Sequence, residues 1–218
     1  MVFTCLLASA CAGTGPTPAS DTTAPVLSVT PVDLTGPFDP TTHLHGSLLC
    51  DNRGFSDYCF RGMTADRVKP ASVYKVRPGT PVRAVARALV RQINLKSTND
   101  YEVFMQATEH SVYWIAYDHV INVSVSVGAW VNPGQAFAEA GQLWAPGEMV
   151  TELQINKNDP NDPDGTSGRS EYVCPRDLGS PQFNQLHADA VATNNSTFPS
   201  FPTSECSSPN YFTFTPKP

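Results

Sequence analysis

The chain is poor in charge: Asp, Glu, Lys and Arg make up 16% of its 218 residues, against roughly a quarter in an ordinary globular domain. With 14 basic against 20 acidic residues and a net charge of −6, it has no clustered cationic surface for phosphates, which argues against a nucleic-acid partner. Arg83, Arg87 and Arg91, its only regularly spaced basic group, read as a solvated face. Beyond the first eleven residues there is no run of about 18 apolar residues, so no helix of the mature chain is expected to cross a membrane. No Gly-x-Ser-x-Gly elbow and no Cys-x-x-Cys pair occurs; the first absence removes a hydrolase nucleophile turn, the second the usual framework of a four-cysteine zinc site. The acidic stretch 156–170 (NKNDPNDPDGTSGRS) lacks the Asp-x-Asp-x-Asp-Gly order and the twelfth-position Glu of a calcium loop.

What is present is turn chemistry. Twenty prolines and fourteen glycines imply short elements, and strands suit that better than long helices. From Val123 to Gly141 the sequence VSVSVGAWVNPGQAFAEAG places Val123, Val125 and Val127 on one face of a strand, then a turn at Gly128 and a second at Pro133-Gly134-Gln135. Val131, Phe137 and Ala140 continue into further short strands, the pattern of a small β-barrel. Elsewhere Val73–Val76, Tyr101–Met105 and Val112–Val120 read as strands, with a turn at Arg77-Pro78-Gly79-Thr80. VRAVARALVRQIN fits either a helical or a strand period, and Val150–Ile155 is expected as the last strand of the unit. Ser180 to Ala192 reads as an amphipathic helix, with Ser180 as N-cap, Pro181 at the first helical position and Phe183, Leu186 and Ala190 on its buried face.

The N-terminus, MVFTCLLASAC, is an apolar run ending in small residues before Cys11. It is similar to a bacterial lipobox, whose cysteine is lipidated, though no Lys or Arg precedes it; an ordinary secretory signal is the alternative, and both export the chain. The expected organisation is a signal over 1–11, a Thr/Pro/Ala-rich tether over 12–25, a β domain over 26–156 and, over 157–218, a loop, a short helix and a disulfide-linked tail. Setting aside Cys5 and Cys11 leaves four cysteines, and the pairing that closes the shortest loops is Cys50 with Cys59 and Cys174 with Cys206. The expected location is the cell envelope, held by a lipid anchor, or secreted.

Taken together, PGTPVRAVARALV, YWIAYDHV, VSVSVGAWVNPGQAFAEAG and GEMVTELQIN resemble the LytM/M23 peptidases, zinc endopeptidases that cut peptidoglycan cross-bridges. The likeness spans about 78–156. Its most specific part is the Val-x-x-Gly-x-x-Val-x-x-Gly-Gln double turn, which carrier domains of the hybrid-barrel type share, so it speaks for fold before function. The fold class implied is mainly β: a small hybrid β-barrel or sandwich followed by a C-terminal helix and a disulfide-pinned tail.

In that family three protein ligands hold zinc beside a basic group. Alignment on Gly79-Thr80-Pro81-Val82 puts Lys69 and Val73 at the first His and Asp ligands, and alignment of the last strand puts Glu152 and Gln154 at the closing His-x-His. An ammonium, an alkyl side chain and a neutral amide are not zinc ligands of useful strength, so no cofactor is expected there. His119, in Tyr117-Asp118-His119-Val120, matches the family's Tyr-x-His histidine; without metal it is expected as a hydrogen-bonded strand residue, flanked by Asp118 and Glu152. A relocated zinc site on His43, His45 and His119, with Asp51 or Asp66, is the enzymatic alternative, a peptidase acting on peptidoglycan. The leading reading is a non-catalytic envelope protein that binds a cell-wall polymer or a partner protein, with Trp130 and Trp144 available for stacking; a purely structural lipoprotein is the third.

Overall fold

The computed structural model describes residues 19–35, 47–48, 71–142, 149–165 and 170–197. Ten strands occur among them: β1 (Ser47–Leu48), β2 (Ser72–Val76), β3 (Pro81–Arg83), β4 (Ala88–Ser97), β5 (Asp100–Gln106), β6 (Tyr113–Ile121), β7 (Trp130–Val131), β8 (Ala136–Gln142), β9 (Met149–Asn158) and β10 (Ser170–Val173). A 3-10 turn at Pro175–Leu178 leads into the helix α1 (Pro181–Thr197). The strands form one antiparallel sheet in the order β1-β2-β9-β8-β6-β5-β4-β7, with β3 against β8 and β10 against β9. The mainly β class with a following helix is therefore as the sequence implies. Among the described residues no helix is long and apolar enough to cross a membrane.

The local chemistry explains most element boundaries. At Arg77–Thr80 the Thr80 N–H donates to the Arg77 carbonyl at 3.2 Å with Gly79 in left-handed geometry, closing the expected turn. Gly128 and Gly134 take the same left-handed geometry in the double turn, where a side chain would be strained. The ambiguous VRAVARALVRQIN resolves into β3 and β4. Its backbone donors are taken up laterally, Arg83 N–H by Pro31 O at 2.8 Å and Ala84 N–H by Gln135 O at 3.0 Å, which leaves nothing for a helix. Val82, Ala84, Val85, Ala88 and Val90 join Tyr74, Val103, Ile115, Tyr117, Phe137 and Leu153 in the core.

Three expectations need correction. The VSVSV run is extended and hydrogen-bonded, Ser124 N–H to Phe137 O at 2.8 Å, but is not a ladder strand; Val123 and Val125 pack on the core while Val127 enters the turn and is exposed. Val150–Ile155 is not the end of the sheet, because β10 folds back on β9 with Ser170 opposite Asn158 and Val173 opposite Ile155. The expected loop at 156–170 is thus the connection of a hairpin. Finally, α1 begins at Pro181 with the Phe183 N–H donating to Ser180 Oγ at 3.2 Å, as its cap chemistry dictates, yet its fully buried positions are Phe183 and His187; Leu186 and Ala190 are only partly covered.

Candidate functional site

β9 is flanked on both sides. Met149 and Val150 lie between β2 and β8, and Glu152 and Leu153 between β2 and β6, which sets Val73 opposite Glu152 and Glu152 opposite Asp118, one row across three strands. Directly opposed residues point to the same face, and Gln154, opposite Ala116, is the next position on that face. Val73, Glu152 and Gln154, at three of the four positions aligned with residues of the family's metal site, are therefore neighbours in space and all buried. They do not fit zinc: Val73 has no donor atom, and Gln154 offers only a neutral amide. Lys69, the fourth position, lies outside the described residues, as do His43, His45, Asp51, Asp66 and Trp144.

One row further along, β6 is irregular. Between Tyr101 and Val103 the chain of β5 advances two residues, while their partners on β6, Val120 and Tyr117, are three apart. The additional residue is a β-bulge, and His119 in it has φ +55°. The bulge sits where β6 changes partner, from β9 through Asp118 to β8 from Val120. Thr151 Oγ1 donates to the Asp118 carbonyl at 3.1 Å, and the His119 N–H donates to Asp118 Oδ1 at 2.9 Å, so the distortion is held by hydrogen bonds. Because a bulge breaks the two-residue alternation, Asp118 and His119 turn toward each other instead of to opposite faces.

The imidazole lies between two carboxylates. His119 Nδ1 is 3.4 Å from Asp100 Oδ1, at the start of β5, and His119 Nε2 is 3.9 Å from Asp118 Oδ2. The three side chains are 12%, 17% and 9% exposed for His119, Asp100 and Asp118. His119 is a strand residue, as expected, but neither ring nitrogen makes a hydrogen bond although both are shielded from solvent. One oxygen of Asp100, Oδ1, is in the same position. Lys96 Nζ donates to Glu102 Oε2 at 3.0 Å, and the lysine's pKa is raised by that hydrogen bond and by the field of Glu102, Asp118 and Asp100. Asn99 and Asn122 are the other non-glycine residues with left-handed backbone among those described, so all three such positions gather at this end of the sheet. With Ile93, Tyr101, Val123 and Val125 these two asparagines line an open cavity of about 340 Å³.

Sequence reasoning located His119 and Asp118 but missed Asp100. It also missed His187, whose Nε2 meets the Tyr74 hydroxyl at 2.7 Å and whose Nδ1 meets the Phe183 carbonyl at 2.7 Å. A carbonyl can only accept, so Nδ1 carries the proton and Nε2 accepts from Tyr74. Burial pushes the His187 pKa down to about 4 and that of the Tyr74 hydroxyl up. Trp130 is 40% exposed, with the Arg87 guanidinium 3.9 Å above its ring. It lies opposite Leu89, whereas the His119 end of the sheet is reached at Leu95, opposite Tyr101; the six residue steps from Leu89 to Leu95 amount to about 20 Å of strand. Trp130 is thus not part of the His119 cluster. Cys174 is buried and disulfide-bonded; Cys206, its expected partner, is outside the described residues, as are Cys11, Cys50 and Cys59.

No family model matches the chain, and no curated protein matches it. Solved structures do resemble it. A point mutant of the catalytic domain of the prophage-encoded M23 protein EnpA from Enterococcus faecalis is 22% identical over 53% of this chain and 82% of its own, with a TM-score of 0.40. The antimicrobial peptidase lysostaphin from Staphylococcus simulans is 14% identical over 59% of this chain and 48% of its own, at 0.43. A zinc-containing peptidase from Vibrio cholerae is 18% identical over 62% of this chain and 37% of its own, at 0.40. The chain thus spans less than half the length of the last two. These are likenesses of an M23-like fold; the chemistry has to be read from the residues present.

Proposed function

We propose that this chain is an exported, non-catalytic M23-like domain that binds a cell-wall polymer of the peptidoglycan class. The observation that carries the reading is the neighbourhood of Val73, Glu152 and Gln154: residues aligned with the resembling family's zinc site are brought together, but Val73 and Gln154, at ligand positions, carry an alkyl group and an amide. A domain without a zinc-ligand set at these positions is suited to holding a polymer without cutting it. The cavity between Tyr101 and Val125 adds an aromatic ring, aliphatic walls and two amides at one end of that sheet, a mixture suited to a sugar or short peptide unit. Export is supported by the disulfide at Cys174, and anchoring by lipid at Cys11 or secretion follows from the N-terminal segment.

Co-sedimentation of the purified chain with insoluble peptidoglycan tests this, run beside an assay for released soluble fragments. The chain should pellet with the polymer and release nothing, and Tyr101→Ala should weaken retention several-fold while Trp130→Ala should change it little. Release of fragments by the wild-type chain would make it an enzyme, and failure to pellet would remove the polymer as ligand.

A further inference from the structure

We propose that Asp100, Asp118 and His119 bind a divalent transition-metal ion, of the Zn²⁺ or Mn²⁺ kind, at the bulge of β6. None of its three residues is one of the positions aligned with the family's metal site, although Asp118 lies across from one of them, Glu152. Each of the three residues offers one ligand atom, and those atoms lie within 4.8 Å of one another. Metal–ligand bonds of about 2.0–2.2 Å in tetrahedral array set neighbouring ligand atoms about 3.4 Å apart. One ion takes one ring nitrogen: Nδ1 and Asp100 Oδ1, 3.4 Å apart, already match that value, and an Asp118 oxygen, within 4.8 Å of both, completes the set by rotation of its side chain.

Several observations single this cluster out from ordinary acidic groups. Both His119 nitrogens and Asp100 Oδ1 are shielded from water without hydrogen-bond partners, an arrangement that costs free energy unless something is bound there. Asp118, less than a tenth exposed, uses Oδ1 on the His119 backbone and faces the ring with Oδ2. The cation at hand, Lys96, is hydrogen-bonded to Glu102, so the two aspartates keep an excess of negative charge. The left-handed backbone at His119 is the device that brings the ring to both carboxylates. An imidazole with two carboxylate oxygens suits Zn²⁺ or Mn²⁺; Ca²⁺ takes six to eight oxygens and has no use for the ring. Water would fill the remaining positions.

The test uses the full chain carrying His43→Ala and His45→Ala, stripped with chelator and titrated with ZnCl₂ or MnCl₂ by calorimetry, with Mn²⁺ also followed by electron paramagnetic resonance. One ion per chain is expected, with loss of the free Mn²⁺ paramagnetic resonance signal and, in proton NMR spectra, broadening of the His119 ring protons. Asp100→Asn, an isosteric change at a strand end, should weaken binding by about tenfold or more, and Asp118→Asn likewise. Asp100→Asn should leave the circular dichroism of the metal-free chain unchanged, so loss of binding there is not loss of fold. Absence of saturable binding to either metal would overturn the proposal, as would unchanged affinity in Asp100→Asn. Equal competition by Ca²⁺ would also overturn it, because the ring would then not be a ligand. None of these results depends on whether the chain pellets with peptidoglycan.

Discussion

At Gly141 a single methyl group would collide with the bulge. A Cβ built there falls 2.9 Å from the carbonyl oxygen of His119 and 3.0 Å from its carbonyl carbon, both backbone atoms with no freedom to swing away. Gly141→Ala should therefore destabilise the fold by about 1–3 kcal/mol, the usual cost of overpacking. A fall in the urea midpoint with an unchanged slope would show it, and an unshifted midpoint would mean that β8 can move off β6 without cost. The reason for this glycine could not be read from the sequence, where Gly141 merely closes a run of alternating residues. The site as a whole was half legible for the same reason. Asp118 and His119 stand together in a recognisable Tyr-x-His strand, but Asp100 is 18 residues earlier, and only the register slip between β5 and β6 makes it the ring's neighbour. Neither composition nor periodicity signals a bulge.

The helix α1 shows what an element's sequence leaves open. Its start was legible because Ser180 and Pro181 act locally, through one cap hydrogen bond and one preset φ. Its buried face was not, because a histidine counts as polar until its partners are known, and those partners are Tyr74 on β2 and the carbonyl one turn back. His187 is neutral in the folded chain, with a pKa lowered from 6.5 to about 4. Between those values the unfolded chain binds the extra proton, so stability rises with pH: the contribution is full above about pH 6.5 and is lost as pH falls toward 4. Its size is roughly 3 kcal/mol. Comparing the wild-type chain with His187→Gln isolates it from the other acid-titrating groups: the stability gap should be large at pH 7 and shrink by pH 4.5. A gap independent of pH would show that the ring binds its proton equally well in the folded and unfolded chain.

On the scale of the whole molecule, the disulfide of Cys174 ties the segment after β10 to another part of the chain at the point where the sheet hands over to α1. If Cys206 is the partner, Cys174→Ser and Cys206→Ser should each cost about 2–5 kcal/mol and the double variant no more than either alone. Peptide mapping under non-reducing conditions should recover the two half-cystines in one linked fragment; recovery of Cys174 with Cys50 or Cys59 would replace that pairing. The fold class was legible at this scale because the prolines and glycines set turns by local chemistry, as at Gly79, Gly128 and Gly134. The order of strands was not, since β9 finds β2 more than seventy residues back and β10 only after a long loop.

The place of β9 between β2, β6 and β8 governs when the molecule can exist at all. Every strand from β2 to β8 is made before it, yet β2 pairs only with β1 and β9, and the lower half of β6 has only β5 until β9 arrives. A chain emerging N-terminus first can build the β4–β5–β6 meander early but leaves one edge of β2 open until Leu153 is free. By this strand order the sheet closes only once β9 has been made, so the joining of its two halves belongs to the last part of the chain to appear.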